Sequence, residues 1–242
     1  TMLSKVLYQK VDFKLNHKRS IFATNLSQYV KDKLYGKCAV VGGGIYGVTV
    51  ATKLKVSGYD VDLYEQDYQI MNRASGINQY RLHRGYHYPR SFDTIESCKT
   101  NEDSFIKYYN KSIVNGDIKH YYSIASEDSL ITAQQYLTTL DNSNLNWKIV
   151  EALPNCDLTI EVEEKLYDPN TLRSICVDRL YSNGVNVNLN KRYSGQGGYE
   201  HVIYSTYSSL NDFTKEKQNY QFELCEKPLF ELPEIYPCAQ FH

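Results

Sequence analysis

Residues 37–65, KCAVVGGGIYGVTVATKLKVSGYDVDLYE, decide the fold of the first half of this chain. A short apolar run leads into a Gly-x-Gly-x-x-Gly pattern formed by Gly42, Gly44 and Gly47. A helical pattern follows, and a second apolar run ends at Glu65. A strand, a glycine-rich turn, a helix and a second strand in this order predict a β-α-β unit that binds a dinucleotide.

Each part of this unit has a predicted role. The first glycine allows the tight turn, the second lets the backbone approach a pyrophosphate, and the third lets the helix pack on the sheet. The amides at the helix start, including those of Ile45 and Tyr46, hold the phosphates together with the helix dipole. Glu65 lies at the tip of the second strand, where a carboxylate accepts the ribose hydroxyls. The alternative is a glycine-rich turn without a ligand, in which strand, glycines, helix and acid coincide by chance.

Composition bounds the class of protein. A chain of 242 residues with 42% hydrophobic content can bury one large core or two modest domains. Because it has no long apolar run and no signal-like N-terminus, we expect a soluble cytoplasmic protein without a membrane span. The six cysteines form no Cys-x-x-Cys pair, so we predict reduced thiols and no metal site.

Charge is unevenly spread along the chain. The formal net charge is −1, but lysine and arginine outnumber the acids in residues 1–36, which we interpret as a basic N-terminal extension. Such an arm could contact nucleic acid or an anionic surface, yet it is more often a solvated extension. We therefore predict no nucleic-acid partner, and the sequence leaves the oligomeric state open.

Strand-like and helix-like segments alternate along the rest of the chain and predict an α/β fold. We expect a discontinuous Rossmann-type domain from residues 37–100 and 165–212, and a partial, sheet-rich substrate domain from residues 101–164 and 213–242. In particular, a strand at 185–189 should join the sheet that contains residues 38–41. The remaining predicted elements are helices at 93–109, 129–140 and 171–182 and strands at 121–125, 147–150, 158–166, 201–206 and 220–225.

A second informative segment is RASGINQYRLHRGYHYPRS, residues 73–91. No acid occurs from residue 68 to residue 92, whereas arginines, histidines and tyrosines are interleaved there. Guanidinium groups match carboxylates and phosphates, so the segment could form a pocket for anionic groups. On charge alone, a solvated basic loop explains it equally well. The cationic residues are Arg73, Arg81, Arg84 and Arg90, with His83 and His87.

Two short patterns in this segment carry a family resemblance. Ser75-Gly76-x-Asn78 and His83-x-Gly85-x-x-Tyr88-Pro89 resemble the segment after the first β-α-β unit in flavoproteins of the D-amino-acid oxidase superfamily. The resemblance is closest to the branch that contains L-2-hydroxyglutarate dehydrogenases. It implies an FAD-dependent oxidoreductase that oxidises a small polar, anionic substrate (an amino acid, hydroxy acid or sugar derivative) by hydride transfer to flavin N5.

The resemblance also implies roles for individual residues. The three glycines would contact the FAD pyrophosphate and Glu65 the adenosine ribose. The phosphate and ribityl side would be lined by Arg73, Ser75 and Asn78. Near the isoalloxazine would lie His83 and Gly85, and the substrate would be oriented by Arg81, Arg84, His83 and Tyr88. Later in the chain, Val187 and Thr206 would lie on strands that return beside the cofactor.

The resemblance covers roughly residues 37–225 and is dense only in its first third. Superfamily members continue into a further portion whose glycine-containing strand and helix contact the flavin, and no glycine-rich segment follows the strand expected at 220–225. We therefore expect the front two thirds of such an enzyme, as a fragment, a natural truncation or a split gene. Two alternatives remain: an NAD-dependent dehydrogenase, since the same glycine unit and Glu65 serve NAD, and a non-catalytic remnant that binds a nucleotide or nothing.

Overall fold

The computed structural model describes residues 36–116, 118–195, 197–220 and 239–240. The predicted basic extension lies outside the described residues apart from Gly36, and so does nearly all of the predicted strand at 220–225. Within the described part of the chain, no helix combines the length and the apolar character needed to cross a membrane.

The elements follow one another in an alternating order. The strands are β1 (Lys37–Val41), β2 (Asp60–Tyr64), β3 (Arg81–Leu82), β4 (Lys119–Ala125), β5 (Trp147–Val150), β6 (Cys156–Val162), β7 (Lys165–Leu166), β8 (Asn186–Asn188), β9 (His201–Tyr204) and β10 (Ala239–Gln240). The helices are α1 (Ile45–Val56), α2 (Phe92–Tyr109), α3 (Ala133–Asn142) and α4 (Pro169–Ser182), and short 3-10 turns cover Asn110–Ser112 and Tyr207–Asp212.

A parallel sheet with the strand order β8-β2-β1-β9 forms the first layer. Its strands come from both ends of the described chain, and β8 joins the sheet through β2, where Val187 aligns with Leu63. The predicted α/β fold is confirmed, and so is the expectation that the strand near residue 187 shares a sheet with β1. Parallel neighbours need crossover helices, which α1 and α4 supply.

The main core lies between this sheet and the two helices. Its buried side chains are Val48 and Ala51 of α1, Val40, Val61 and Leu63 of the sheet, and Leu172, Cys176 and Leu180 of α4. Asp168 caps α4 by accepting a hydrogen bond from Thr171 N at 2.6 Å, and Pro169 occupies the first helical position, where no amide bond is lost. The N-cap therefore sets where α4 begins, and its apolar face sets which side packs on the sheet.

A second sheet, with the order β10-β4-β6-β5, has its own core. Strand β6 pairs antiparallel with β4 and β5, and α3 packs on the sheet through Tyr136 and Leu140. Helix α2 runs without a break through the domain boundary expected at residues 100 and 101. It contributes Ile95 to this core and Tyr109 to the main core, so one helix spans both.

Two elements differ from the sequence-based expectation for local physical reasons. Helix α3 begins at Ala133 and not near residue 129, because Thr132 and Gln135 form a reciprocal capping box with distances of 2.9 and 3.2 Å. The strand expected at 158–166 is two strands in two sheets. Between them Glu164 turns inward to pair with Arg81, and the chain then leaves β6 to form β7 beside β3.

Gly47→Ala should disrupt the packing of α1 on β1, because an added β-carbon would overlap the carbonyl oxygen of Gly42. Backbone atoms do not yield as a flexible side chain does, so we expect a loss of about 1–3 kcal/mol or more in unfolding free energy. Denaturant titration measures it. Gly116→Ala is the matched control, since its nearest heavy atom would be Ile118 Cγ1 at 3.7 Å. Equal stability of the two variants would contradict the packing argument.

Candidate dinucleotide site

The carboxyl ends of three parallel strands meet at one edge of the first sheet. Gly42 follows β1, and its amide donates to the carbonyl of Tyr64 at 2.8 Å. Ser205 follows β9, and its amide donates to Val41 O at 2.8 Å. A β-carbon on Gly42 would lie 2.5 Å from Ser205 O. The glycine loop, the end of β2 and the end of β9 are therefore in direct contact.

Three glycines of the loop are held by backbone conformation or by lack of space. Gly42 has a φ of 104°, in the left-handed range that favours glycine. Gly47 lies against the carbonyl of Gly42 and leaves no room for a side chain. Gly43 is also tightly placed, which the glycine pattern did not reveal: a β-carbon there would lie 2.9 Å from Glu65 Oε2, so a side chain would displace the Glu65 carboxylate. The loop is compact because all three positions lack side chains.

The Glu65 carboxylate faces this loop. Its Oε2 accepts from Gly43 N at 2.6 Å, and its Oε1 accepts from Asp67 N at 2.8 Å. An ionised carboxylate offers about four acceptor sites, so each oxygen retains capacity for a hydroxyl donor. The side chain is half-buried, which leaves it within reach of a ligand at the mouth of the loop. Contact with a ribose remains a prediction.

The start of α1 is capped by a residue distant in sequence. Gly44 is the N-cap and offers no side chain, and instead Ser75 Oγ accepts from Ile45 N at 3.0 Å. Ser75 therefore lies beside the amides predicted to hold phosphates, and its hydroxyl hydrogen remains available to an acceptor. Tyr46, at the next position, is 80% exposed.

Asn78 and Gly85 shape the loop that carries the basic segment. Asn78 Oδ1 accepts from Tyr80 N at 2.7 Å and from Tyr167 OH at 2.8 Å. Gly85 has a φ of 118°, and a β-carbon there would lie 2.7 Å from Ile95 Cγ2 of α2. Both residues therefore have local structural reasons to be present, and the predicted contacts of these two residues with a flavin remain untested.

Thr206 has an unsatisfied polar atom at the same edge. Its Oγ1 is buried and has no hydrogen-bond partner among the described residues, and its backbone amide would lie 3.5 Å from a β-carbon on Gly42. A buried hydroxyl without a partner costs roughly 1–3 kcal/mol. A ligand acceptor at the glycine loop would remove that cost. Val187, the other late residue predicted for the site, is half-buried in β8 and packs against the main core.

The basic segment is largely neutralised by acids from outside it. Three of its four arginines form ion pairs with carboxylates: Arg73 with Asp67, Arg81 with Glu164, and Arg84 with Glu102. The hydrogen bond from Arg73 lowers the pKa of Asp67. Folding therefore brings carboxylates that the local sequence lacks against three of these arginines, and an anion pocket formed by the exposed remainder stays a prediction.

Arg81 is placed differently from the expectation that it orients a substrate. Its side chain has no exposed surface, pairs with Glu164 and lies over the ring of Tyr122, 5.0 Å from the ring centroid. An atom without accessible surface does not touch a ligand in this arrangement. Arg84 keeps 38% of its side chain exposed and can still reach one. Neither Glu164 nor Tyr122 belongs to a local motif, so the sequence alone does not point to them.

His83 belongs to an aromatic cluster at the edge of the second sheet. Its ring centroid lies 5.7 Å from His87 and 6.0 Å from Tyr88, and His87 lies 6.3 Å from Tyr122. His83 and Tyr88 are half-buried, and burial raises the pKa of the Tyr88 hydroxyl. The direction in which His83 faces relative to the glycine loop remains a prediction.

Metal chemistry has no support among the described residues. No group of three or more His, Cys, Asp or Glu side chains there is arranged to hold a metal ion. The cysteines in the described part of the chain, Cys38, Cys98, Cys156 and Cys176, are free thiols.

Comparisons with known proteins agree with the geometry of this edge. A family model described as an NAD(P)-binding Rossmann-like domain matches residues 40–111. The chain is 33% identical over 108 residues to the FAD-dependent monooxygenase FPY4 of Fusarium mangiferae, an alignment that covers 44% of this chain and 28% of that protein. It is 38% identical over 85 residues to the FAD-dependent monooxygenase kojA of Aspergillus flavus, covering 35% and 20%. The matched part thus spans less than a third of either relative.

Solved structures share the fold at low identity. L-amino acid deaminase from Proteus vulgaris superposes with a TM-score of 0.54 at 14% identity, covering 71% of this chain and 47% of that one. Glycine oxidase from Geobacillus kaustophilus gives 0.56 at 11%, covering 70% and 55%. L-α-glycerophosphate oxidase from Mycoplasma pneumoniae, solved with FAD bound, gives 0.53 at 16%, covering 64% and 45%. The chain therefore has the α/β architecture of these oxidases and deaminases.

Glu102→Gln should change how stability depends on pH. Burial raises the pKa of Glu102, and Arg84 opposes this only in part. Because the pKa of Glu102 is higher in the folded state, its contribution to folding stability is complete below the pKa of the unfolded state, about 4.3. That contribution is lost as the pH rises through the pKa of the folded state. Relative to the wild type, the glutamine variant should therefore gain melting temperature as the pH rises above about 4.3, the unfolded value.

Thermal unfolding at several pH values measures this difference. Ser104→Ala, at an exposed position on the same helix, changes no charge; it is the matched control and should leave the pH profile unchanged. A constant offset between Glu102→Gln and the wild type at every pH would show that burial does not disfavour the charged form of Glu102.

Proposed function

We propose that this chain binds FAD at the carboxyl edge of its parallel sheet and forms part of an FAD-dependent oxidoreductase of the D-amino-acid oxidase superfamily. The observation that carries the proposal is the convergence of the glycine loop, the Glu65 carboxylate and the Thr206 hydroxyl at one edge. Ligands bind open α/β sheets at this edge. Two relatives that match 44% and 35% of the chain are named as FAD-dependent monooxygenases, which supports FAD as the dinucleotide.

The residues present fit the cofactor. The Tyr46 amide at the helix start would hold the pyrophosphate, together with the Ser75 hydroxyl, which accepts from Ile45 N and keeps its own hydrogen to donate. The free acceptor sites of Glu65 would bind the ribose hydroxyls, and Thr206 Oγ1 would gain the partner that it lacks. FAD, when bound, supplies a hydride acceptor at N5.

Substrate binding would fall to the exposed part of the basic segment. Arg84 offers a partly exposed guanidinium, and the His83 and Tyr88 side chains lie close together. Together they would bind and orient a carboxylate or a phosphate, with Glu102 limiting the net positive charge. A small anionic amino acid, hydroxy acid or sugar derivative fits this chemistry. The resemblance to the L-2-hydroxyglutarate dehydrogenase branch favours a 2-hydroxy acid among them.

An NAD-dependent enzyme is the second candidate, because the matching family model describes an NAD(P)-binding domain.

Purification followed by visible spectroscopy and by titration with FAD and NAD separates the two candidates. A yellow protein, or a colourless one that takes up FAD, supports the proposal. Uptake of NAD but not FAD favours the dehydrogenase, and uptake of neither favours a non-catalytic chain. Amino acids, 2-hydroxy acids and glycerol phosphates, tested for anaerobic bleaching of the bound flavin, then identify the substrate class.

Glu65→Ala should weaken FAD binding at least tenfold. The change removes charge-assisted hydrogen bonds to the ribose, each worth about 1.5–3 kcal/mol, and about 1.4 kcal/mol corresponds to tenfold in affinity. Fluorescence titration of the apoprotein with FAD measures the dissociation constant. Glu127→Ala, an exposed carboxylate in the turn after β4, serves as the control and should bind FAD as the wild type does. Unchanged affinity in the Glu65 variant would remove the ribose assignment.

A further inference from the structure

We infer that Glu164 is a positioning residue that fixes residues 81–84, the His83 segment, against the second sheet. This inference rests on the proposed function of that segment. The Glu164 carboxylate contacts three groups. It pairs with Arg81 Nη2, accepts from Tyr122 OH at 3.1 Å, and accepts from Arg84 N at 3.0 Å. His83 lies between Arg81 and Arg84 in sequence, so one carboxylate holds the chain on both sides of it.

The strands alone tether this segment weakly. Strands β3 and β7 are two residues long and pair only Arg81 with Leu166 and Leu82 with Lys165. Through Tyr122 on β4, the Glu164 carboxylate adds a direct link to the second sheet. That link continues through ring contacts, from Tyr122 to His87 at 6.3 Å and from His87 to His83 at 5.7 Å.

Stability alone does not account for this arrangement. Both side chains of the Arg81–Glu164 pair have no exposed surface. Replacing a buried ion pair with apolar residues of similar size is often neutral or stabilising, whereas removing one partner is strongly destabilising. The pair does fix the orientation of the side chains, because the Glu164 carboxylate must face two side-chain donors and one backbone amide at once. Burial and the adjacent Glu164 raise the pKa of Tyr122, which keeps its hydroxyl protonated as a donor.

A comparison of single and double variants separates positioning from stability. Glu164→Gln leaves Arg81 buried without a counter-charge and should lower the melting temperature. The double variant Arg81→Met with Glu164→Leu removes both charges and should recover most of that loss. Tyr122→Phe keeps the ring and removes only the hydroxyl, so it remains informative if the double variant does not fold. Glu163→Gln, an exposed neighbour, is the matched control.

The deciding readout is the imidazole NMR signal of His83 in the protein without cofactor, assigned by its absence in His83→Asn. We expect this signal to shift in the double variant and in Tyr122→Phe but not in Glu163→Gln. When the double variant and Tyr122→Phe are loaded with FAD, their kcat should be lower than that of the wild type by on the order of tenfold or more, and their affinity for FAD should be unchanged. A stable double variant and a folded Tyr122→Phe variant, both with the wild-type His83 signal, would overturn the inference.

The two proposals fail in different ways. If the wild type binds no FAD but the His83 signal still moves in the double variant, the tether exists and the proposed function is wrong. If FAD binds and the signal does not move, the proposed function stands and Glu164 is only a structural partner of Arg81.

Discussion

The contact between Gly47 and the carbonyl of Gly42 is the constraint on which the site depends. It brings the first turn of α1 against the end of β1, at a separation that no side chain allows. The helix start, with its partial positive charge, is thereby held at the sheet edge where β2 and β9 also end. Glu65 and Thr206 reach the same place only because their strands flank β1 in parallel register.

Buried charge pairs supply the second level of organisation. The basic segment follows Glu65 closely in sequence, but its conformation depends on carboxylates from α2 and from the β6–β7 junction. A buried guanidinium requires a counter-charge and hydrogen-bond partners, so these distant acids must take up fixed positions when the chain folds. The segment is therefore a connection between the two cores and not a solvated loop. Arg84, which keeps 38% of its side chain exposed, is partly compensated in the same way.

Most of the fold could be predicted from the sequence where local signals agree. The glycine pattern, the Asp168-Pro169 helix start and the apolar runs of β1 and β2 all depend on neighbours within a few residues. The start of α3 was misplaced, although Thr132 and Gln135 have the spacing of a capping box. The division of the strand expected at 158–166 had no local signal. It follows from the inward turn of Glu164, which is required only once Arg81 is buried beside it.

The sequence by itself determined the Rossmann-type unit, the position of Glu65 and the presence of a chemically distinctive segment at residues 73–91. These follow from spacing and residue type, which act over one turn of helix or one strand. Only the tertiary structure decided which arginines remain available, that Gly43 lies against the Glu65 side chain, and that Ser75 caps α1. The reason is physical: ion pairs and close backbone contacts join residues that are far apart in the chain, and no local pattern records which partners will meet.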